Sequence, residues 1–65
     1  MAERFVVRDK SSGEYLAEKF MRGFYFTNDI SQAIRCKSND EAKGKIDKQT
    51  VKDKSGLTID SVNFT

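Results

Sequence analysis

The sequence predicts a small α+β fold, an antiparallel sheet of three to four strands with one or two short helices packed on one face. Aromatic and β-branched residues fall in short runs, which is typical of strands. Between residues 24 and 36 the hydrophobic period changes from two to 3.6, so a strand is followed by a helical turn. Ser38 precedes Glu41 by three residues, which is the spacing of a helix-capping box.

The length of 65 residues predicts a single domain, spanning residues 1–65, with a thin two-layer core. A chain of this size buries only about 60% of the surface that it exposes when unfolded. We therefore expect a stability of a few kcal/mol. A homodimer that covers more apolar surface is a further expectation. Because the chain begins with Met1 and carries no tag, we also expect a complete small reading frame.

A hairpin is predicted at the start of the chain, with strands at residues 5–8 and 14–17. The turn between them, residues 9–13, ends on Gly13, which readily takes a positive φ. Residues 18–23 have no clear pattern, and Gly23 is expected to end a loop or a second hairpin turn.

The stretch from Phe24 to Cys36 is the centre of the prediction. In a strand at residues 24–27, the two phenylalanines share one face and Tyr25 takes the other, which we expect to be exposed. A short helix is predicted from Asp29 to Ile34, and residues 35–37 either extend it or pair as a bridging strand. The expected shared core consists of Phe24, Phe26, Ile30, Ile34 and Ile46.

A second helix is predicted over residues 39–48, with Ser38 as its N-cap. Gly44 either weakens this helix or marks a close approach of backbone. A short strand at 50–52, a turn at 53–56 and a last strand at 57–64 follow. The apolar positions of the last strand change face between Ile59 and Val62, which predicts a β-bulge near residues 60–61.

The side-chain inventory argues against an enzyme. Histidine is absent, which removes the commonest general base and metal ligand, and no Gly-rich phosphate loop follows a strand. We therefore expect no catalytic, cofactor or metal site. Cys36, the single cysteine, rules out a disulfide within the chain and favours the cytoplasm, and no apolar run is long enough for a membrane span. Between Arg35 and Lys37, Cys36 is either a reactive thiol or a small half-buried apolar residue, and the second interpretation is favoured.

Tyrosine and arginine side chains supply the best candidates for a partner-binding surface, because both residue types are enriched in binding hot spots. The alternative is an ordinary solvated sheet face with arginine stems lying on the rings. A lysine-rich segment, residues 43–54, is interleaved with acids and favours a solvated face over a phosphate-binding patch. The predicted partner-binding residues are Tyr25, Arg22, Arg8, Tyr15 and Arg35.

The chain also resembles small uncharacterised single-domain proteins encoded by bacteriophages and prophages. The resemblance lies in Phe-Val-Val-Arg-Asp-Lys-x-x-Gly-x-Tyr-Leu, Phe-Thr-Asn-Asp-Ile-x-x-Ala and Ser-Asn-Asp-Glu-Ala, over about residues 5–46. It implies a phage-borne protein that acts in a bacterial cytoplasm. Arg8-Asp9 followed by Gly13 is similar to a hairpin in the arm-binding domain of phage integrases, whose strongly basic start this chain lacks.

Two functional hypotheses follow. The first is a non-enzymatic protein-interaction module, phage-encoded, that binds and modulates a host bacterial protein. The alternative is a small nucleic-acid binder whose sheet face carries Arg4, Arg8, Arg22 and Tyr25. The net charge of +2, low for a dedicated nucleic-acid binder, favours the first.

Overall fold

The fold is built on a four-stranded antiparallel sheet that carries an α-helix on one side. The computed structural model describes residues 2–19, 21 and 23–64. In chain order the elements are β1 (Ala2–Asp9), β2 (Tyr15–Lys19), β3 (Gly23–Thr27), a 3₁₀ turn (Ile30–Gln32), α1 (Asn39–Lys48), a 3₁₀ turn (Lys54–Gly56) and β4 (Leu57–Phe64). The strand order is β3-β2-β1-β4. This is the predicted α+β architecture.

The core lies between α1 and the side of the sheet that we call the inner face, and α1 packs on β1 and β4. Ile30 was expected in this core but is only half-buried and does not pack on the central cluster. The cluster consists of Val7, Leu16, Cys36, Ala42 and Leu57, with Phe5, Phe24, Phe26, Ile34, Ile46 and Ile59 packed around it. The predicted core positions of Phe24, Phe26, Ile34 and Ile46 are therefore confirmed.

Strands β1 and β2 separate beyond the pair Arg8–Tyr15, and residues 34–36 lie between them. The Ile34 amide donates to the Leu16 carbonyl at 3.0 Å. Cys36 exchanges two backbone hydrogen bonds with Phe5, at 2.8 and 2.9 Å. The bridging-strand alternative for residues 35–37 is therefore confirmed, because this segment fills the gap in the sheet.

The helix predicted from Asp29 to Ile34 is wrong, since only the 3₁₀ turn Ile30–Gln32 forms there. Asp29 caps the turn by accepting from the Ser31 amide, and the Ala33 amide donates to the Ile30 carbonyl. The Ile34 amide, which would continue a helix, instead binds β2. A tertiary hydrogen bond thus ends the local helical pattern after one turn.

The predicted helix over residues 39–48 is confirmed as α1, with Ser38 accepting from the Glu41 amide. The Glu41 carboxylate reaches back to the Lys37 amide at 3.4 Å, one residue before the cap. A Cβ on Gly44 would meet no atom within 4 Å. No close backbone approach therefore requires this glycine, and its effect is to weaken the helix.

The strand predicted at residues 50–52 does not form, because the side chain of Gln49 binds this backbone instead. Gln49 is completely buried. Its Oε1 accepts from the amides of Val51 and Lys52, each at 3.0 Å, and its Nε2 donates to the Lys52 carbonyl. These groups are thereby removed from any sheet ladder. The turn predicted at 53–56 is confirmed as a 3₁₀ turn capped by Asp53.

The β-bulge predicted near residues 60–61 is also wrong. The pairing of β1 with β4 runs without interruption from Ala2–Phe64 to Asp9–Leu57. The apolar residues of β4 therefore do occupy both faces, with Ile59 on the inner face and Val62 on the opposite one. The change of face reflects apolar burial on both sides of the sheet.

The connection between β2 and β3 is the predicted second hairpin turn, closed by the pair Lys19–Gly23. Gly23 has a φ of 87° and Met21 a φ of 61°. A non-glycine residue in the left-handed region is uncommon, and Met21 is 89% exposed. Phe20 and Arg22 lie outside the described residues.

Candidate interaction surface

The described residues enclose no pocket, and they contain no group of three or more side chains able to hold a metal ion. The sites that remain are surfaces. The relevant one is the side of the sheet opposite α1, which we call the outer face. The strand registers and alternation of side chains place the following residues on it: Arg4, Val6, Arg8, Tyr15, Ala17, Lys19, Tyr25, Thr27, Thr58, Asp60, Val62 and Phe64.

Arg8 and Tyr15, two of the predicted residues, are direct neighbours across β1 and β2 on the outer face. The Nε atom of Arg8 lies 2.6 Å from Oδ2 of Asp60, and both side chains are 36% exposed. The carboxylate of Asp60 raises the pKa of Arg8 above its ordinary value, through a hydrogen bond and through its charge. The guanidinium is thus fixed in place while part of it faces solvent.

Tyr25 lies on the outer face as predicted, opposite Ala17 of β2. It is half-buried, so the expectation of an exposed ring is wrong. The Nζ atom of Lys19 stands 5.9 Å from the centre of the Tyr25 ring. Cross-strand neighbours therefore cover part of the ring, as they cover any aromatic side chain in a sheet of several strands.

Arg35 joins the outer face from the segment that fills the gap between β1 and β2. Its Cζ atom lies 4.1 Å from the centre of the Phe64 ring, which is cation–π geometry. The side chain of Arg35 therefore reaches the end of β4. The structure brings Arg8, Tyr15, Tyr25 and Arg35 onto one face, whereas Arg22 lies outside the described residues.

Two fully buried residues on the outer face were not anticipated as a feature of that face. Val6 and Ala17 are 0% exposed, although α1 packs on the other side of the sheet. Val62 and Phe64 are half-buried at the β4 end. The outer face thus has a partly covered apolar centre with arginines and tyrosines around it. The change of face in β4, which was interpreted as a β-bulge, is the sequence signal from which this arrangement could have been predicted.

The outer face is predominantly cationic. Among the described residues, Arg4, Arg8, Lys19 and Arg35 lie there with one carboxylate, that of Asp60. These charges give the outer face a positive electrostatic potential around its apolar centre.

A part-buried ion pair on the inner side of the sheet was not predicted from the sequence. The Nζ atom of Lys52 lies 2.6 Å from Asp9 and 3.1 Å from Glu14, and 4.7 Å from the centre of the Phe26 ring. Asp9 is 5% exposed and also accepts from Ser11 and Ser12. The Lys52 hydrogen bond, followed by those of the serines, holds the pKa of Asp9 well below its ordinary value. This cluster connects the loop after α1 to the first turn, with Asp9 buried and with Lys52 and Glu14 partly exposed.

Cys36 is an apolar packing residue, as the favoured interpretation expected, but it is fully buried in the core, with 1% exposure, instead of half-buried. Burial raises the pKa of its thiol, and the charge of Glu41 adds to this effect. Neither neighbouring cation lowers the pKa, contrary to the reactive-thiol alternative, since the Arg35 side chain extends over Phe64 instead.

The lysines of residues 43–54 do not converge on one patch. Lys45 pairs with Glu18 at 3.7 Å, Lys52 with Asp9, and Lys54 with Asp47 at 3.7 Å. Three lysines of the segment therefore pair with acids at three separate places, which agrees with the favoured interpretation of a solvated face.

No helix in the described part of the chain is both long and apolar enough to cross a bilayer. Comparisons with protein-family models, curated proteins and solved structures find no match for this chain. Function is therefore inferred from the geometry of the outer face.

Proposed function

We propose that this protein is a non-enzymatic interaction module that binds another protein through the outer face. The observation that carries the proposal is the arrangement of Arg8, held by Asp60 at 2.6 Å and lying opposite Tyr15. An arginine fixed in this way loses little side-chain entropy when a partner binds, so more of the interaction energy is retained. Arginine beside tyrosine is also the composition of binding hot spots.

The proposed partner presents a carboxylate-rich protein surface. Arg8 uses Nε for Asp60, and a guanidinium carries four further N–H donors. A carboxylate of the partner reaches these donors in bidentate geometry, with the half-buried rings of Tyr15 and Tyr25 as flanking apolar contacts. Arg35 extends the cationic surface toward Phe64.

Nucleic acid is the less favoured partner, because the chain has a net charge of only +2, which is low for a dedicated nucleic-acid binder. The two tyrosines are half-buried, which reduces the ring area on which a base can stack.

The origin and setting proposed for the protein are a bacteriophage or prophage and the cytoplasm of its bacterial host, where it modulates a host protein. The support is the sequence resemblance over about residues 5–46 and the use of Cys36 as a buried free thiol, which suits a reducing compartment.

The test is affinity capture from a nuclease-treated bacterial lysate with three baits. The baits are the wild type, the outer-face variant Arg8→Ala/Tyr15→Ala, and the control Lys43→Ala/Lys48→Ala, which changes two exposed lysines of α1. We expect a stoichiometric protein that the wild type and the control retain and the outer-face variant loses. Equal retention by all three baits contradicts the outer-face assignment. Recovery of nucleic acid alone from an untreated lysate favours the alternative function.

A further inference from the structure

Strand β4 is an edge of the sheet, paired with β1 along its whole length of 8 residues. The Lys10 amide donates to the Gly56 carbonyl, and the Phe5 amide points the other way, to Cys36. Since hydrogen-bonded pairs alternate along an antiparallel ladder, the even-numbered residues of β4 bond to β1. The odd-numbered residues Ile59, Ser61 and Asn63 therefore present their backbone N–H and C=O groups to the open edge.

This edge lacks the devices by which proteins prevent strand pairing. Residues 57–64 contain no lysine, arginine or proline, and the ladder with β1 has no bulge. The one charged residue, Asp60, is neutralised by Arg8. The other edge strand, β3, is shorter, with 5 residues, and begins at a glycine of positive φ.

We propose that β4 pairs antiparallel with β4 of a second copy, forming a homodimer with a continuous eight-stranded sheet. A two-fold axis perpendicular to the sheet preserves the two faces, so residues of the same parity lie opposite each other. The register that places Ser61 opposite Ser61 joins Ile59 to Asn63 of the other copy. It forms about six backbone hydrogen bonds through the outward-pointing groups.

The charge and the side-chain sizes of β4 favour this register. They also favour a second copy of the chain as the strand that pairs with the open edge. With Ser61 on the axis, Asp60 lies opposite Val62, so the two carboxylates do not face each other. Thr58 lies opposite Phe64, a β-branched residue against an aromatic one, which is a favourable cross-strand pair. Asp60 is the one charged residue of β4, and Arg8 neutralises it. Two β4 strands can therefore pair without electrostatic repulsion between them. The dimer also joins the two outer faces into one surface.

The test combines oligomeric state with amide exchange on the full chain. Sedimentation over about 10 µM to about 1 mM measures association in the range where a weak dimer forms. We expect the mass to double with concentration. The variant Asn63→Pro removes an outward N–H and leaves the β1 ladder intact, so it should stay monomeric, while Asn63→Ala should dimerise like the wild type. Ser61→Lys, which puts two ammonium groups at the axis, serves as a second variant if the proline affects folding.

Hydrogen exchange followed by NMR supplies an internal control within β4. The amides of Ser61 and Asn63 should exchange at least tenfold more slowly at high than at low protein concentration. The amides of Asp60 and Val62, already bonded to β1, should not change. A wild type that stays monomeric throughout, or a dimer that survives both edge variants, overturns the proposal. The proposal is also overturned if the amides of Ser61 and Asn63 are protected from exchange only when an extended peptide is added.

Discussion

The guanidinium of Arg35 lies over the ring of Phe64, with 4.1 Å between Cζ and the ring centre. This contact connects the segment that fills the gap between β1 and β2 to the last residues of β4. It also explains part of the apolar change of face in β4, because Phe64 finds cover on the outer face.

The contact should be measurable as a coupling between the two side chains. Arg35→Ala and Phe64→Ala are each expected to destabilise the protein, and the double variant by less than the sum of the two. A partly exposed cation–π pair predicts a coupling of about 0.5–1 kcal/mol. Chemical denaturation of the four proteins gives this value. Strict additivity would mean that the two side chains do not interact in solution.

Gln49 should be far more important for stability than an exposed glutamine. Replacing it with alanine removes a fully buried side chain and leaves the part-buried Val51 and Lys52 amides without their acceptor, at an expected cost of about 1–3 kcal/mol. The matched control is Gln32→Ala in the exposed 3₁₀ turn, which should change stability by about 0.5 kcal/mol or less. Thermal melts compare the two, and similar melting temperatures would contradict the assigned role of Gln49.

The ion pair of Lys52 with Asp9 predicts a particular dependence of stability on pH. The folded-state pKa of Asp9 is lowered from 3.8, so its contribution is present above about pH 4 and is lost as the pH falls further. The folded-state pKa of Lys52 is raised from 10.5, first by Asp9 and then by Glu14, so its contribution persists to alkaline pH.

The variant Lys52→Met tests this dependence, with Lys54→Met as the control because Lys54 forms an exposed pair. Near neutral pH the first variant should be clearly less stable than the wild type and the control should not. The deficit of Lys52→Met should shrink as the pH falls to about 2.5, because below about pH 4 the unfolded chain takes up a proton on Asp9 that the ion pair resists in the folded wild type. Urea unfolding at the two pH values measures it, and a deficit that is constant with pH would exclude the ion pair as its cause.

The thiol of Cys36 should be unreactive in the folded protein. Its burial and raised pKa both suppress attack by the Cys36 thiolate on an external disulfide. A chromogenic disulfide reagent should label it at least a hundredfold more slowly in buffer than in denaturant. Labelling of the native protein at the rate of a free thiol would contradict this prediction and would show that Cys36 is a reactive thiol.

Short sequence patterns correctly predicted the elements whose hydrogen bonds join residues that are close together in the chain. Ser38 and Glu41 marked the start of α1, and Gly23 marked the second hairpin turn. The helix predicted after Asp29 does not continue beyond one turn. The Ile34 amide, which would have continued it, donates to the Leu16 carbonyl of β2 instead. No pattern in the neighbouring sequence predicts that hydrogen bond.

The sequence predicted which residue types form the candidate site better than it predicted which side chains contact each other there. Tyrosines and arginines on one strand face follow from alternation, but the partner of each charge does not. Asp60 stands 52 residues from Arg8, and Lys52 stands 43 residues from Asp9. Such pairs are set by the order β3-β2-β1-β4, which single-strand patterns do not contain.

The outer face as a binding surface is tested most directly by titrating the captured protein partner with Tyr25→Ala. The ring is half-buried at the surface, so the variant should lose about 1 kcal/mol of stability and remain folded. Binding should weaken by about 2 kcal/mol, or roughly 30-fold, while Lys43→Ala on α1 binds like the wild type. If Tyr25→Ala is folded and binds with unchanged affinity, this part of the outer face is not the binding surface.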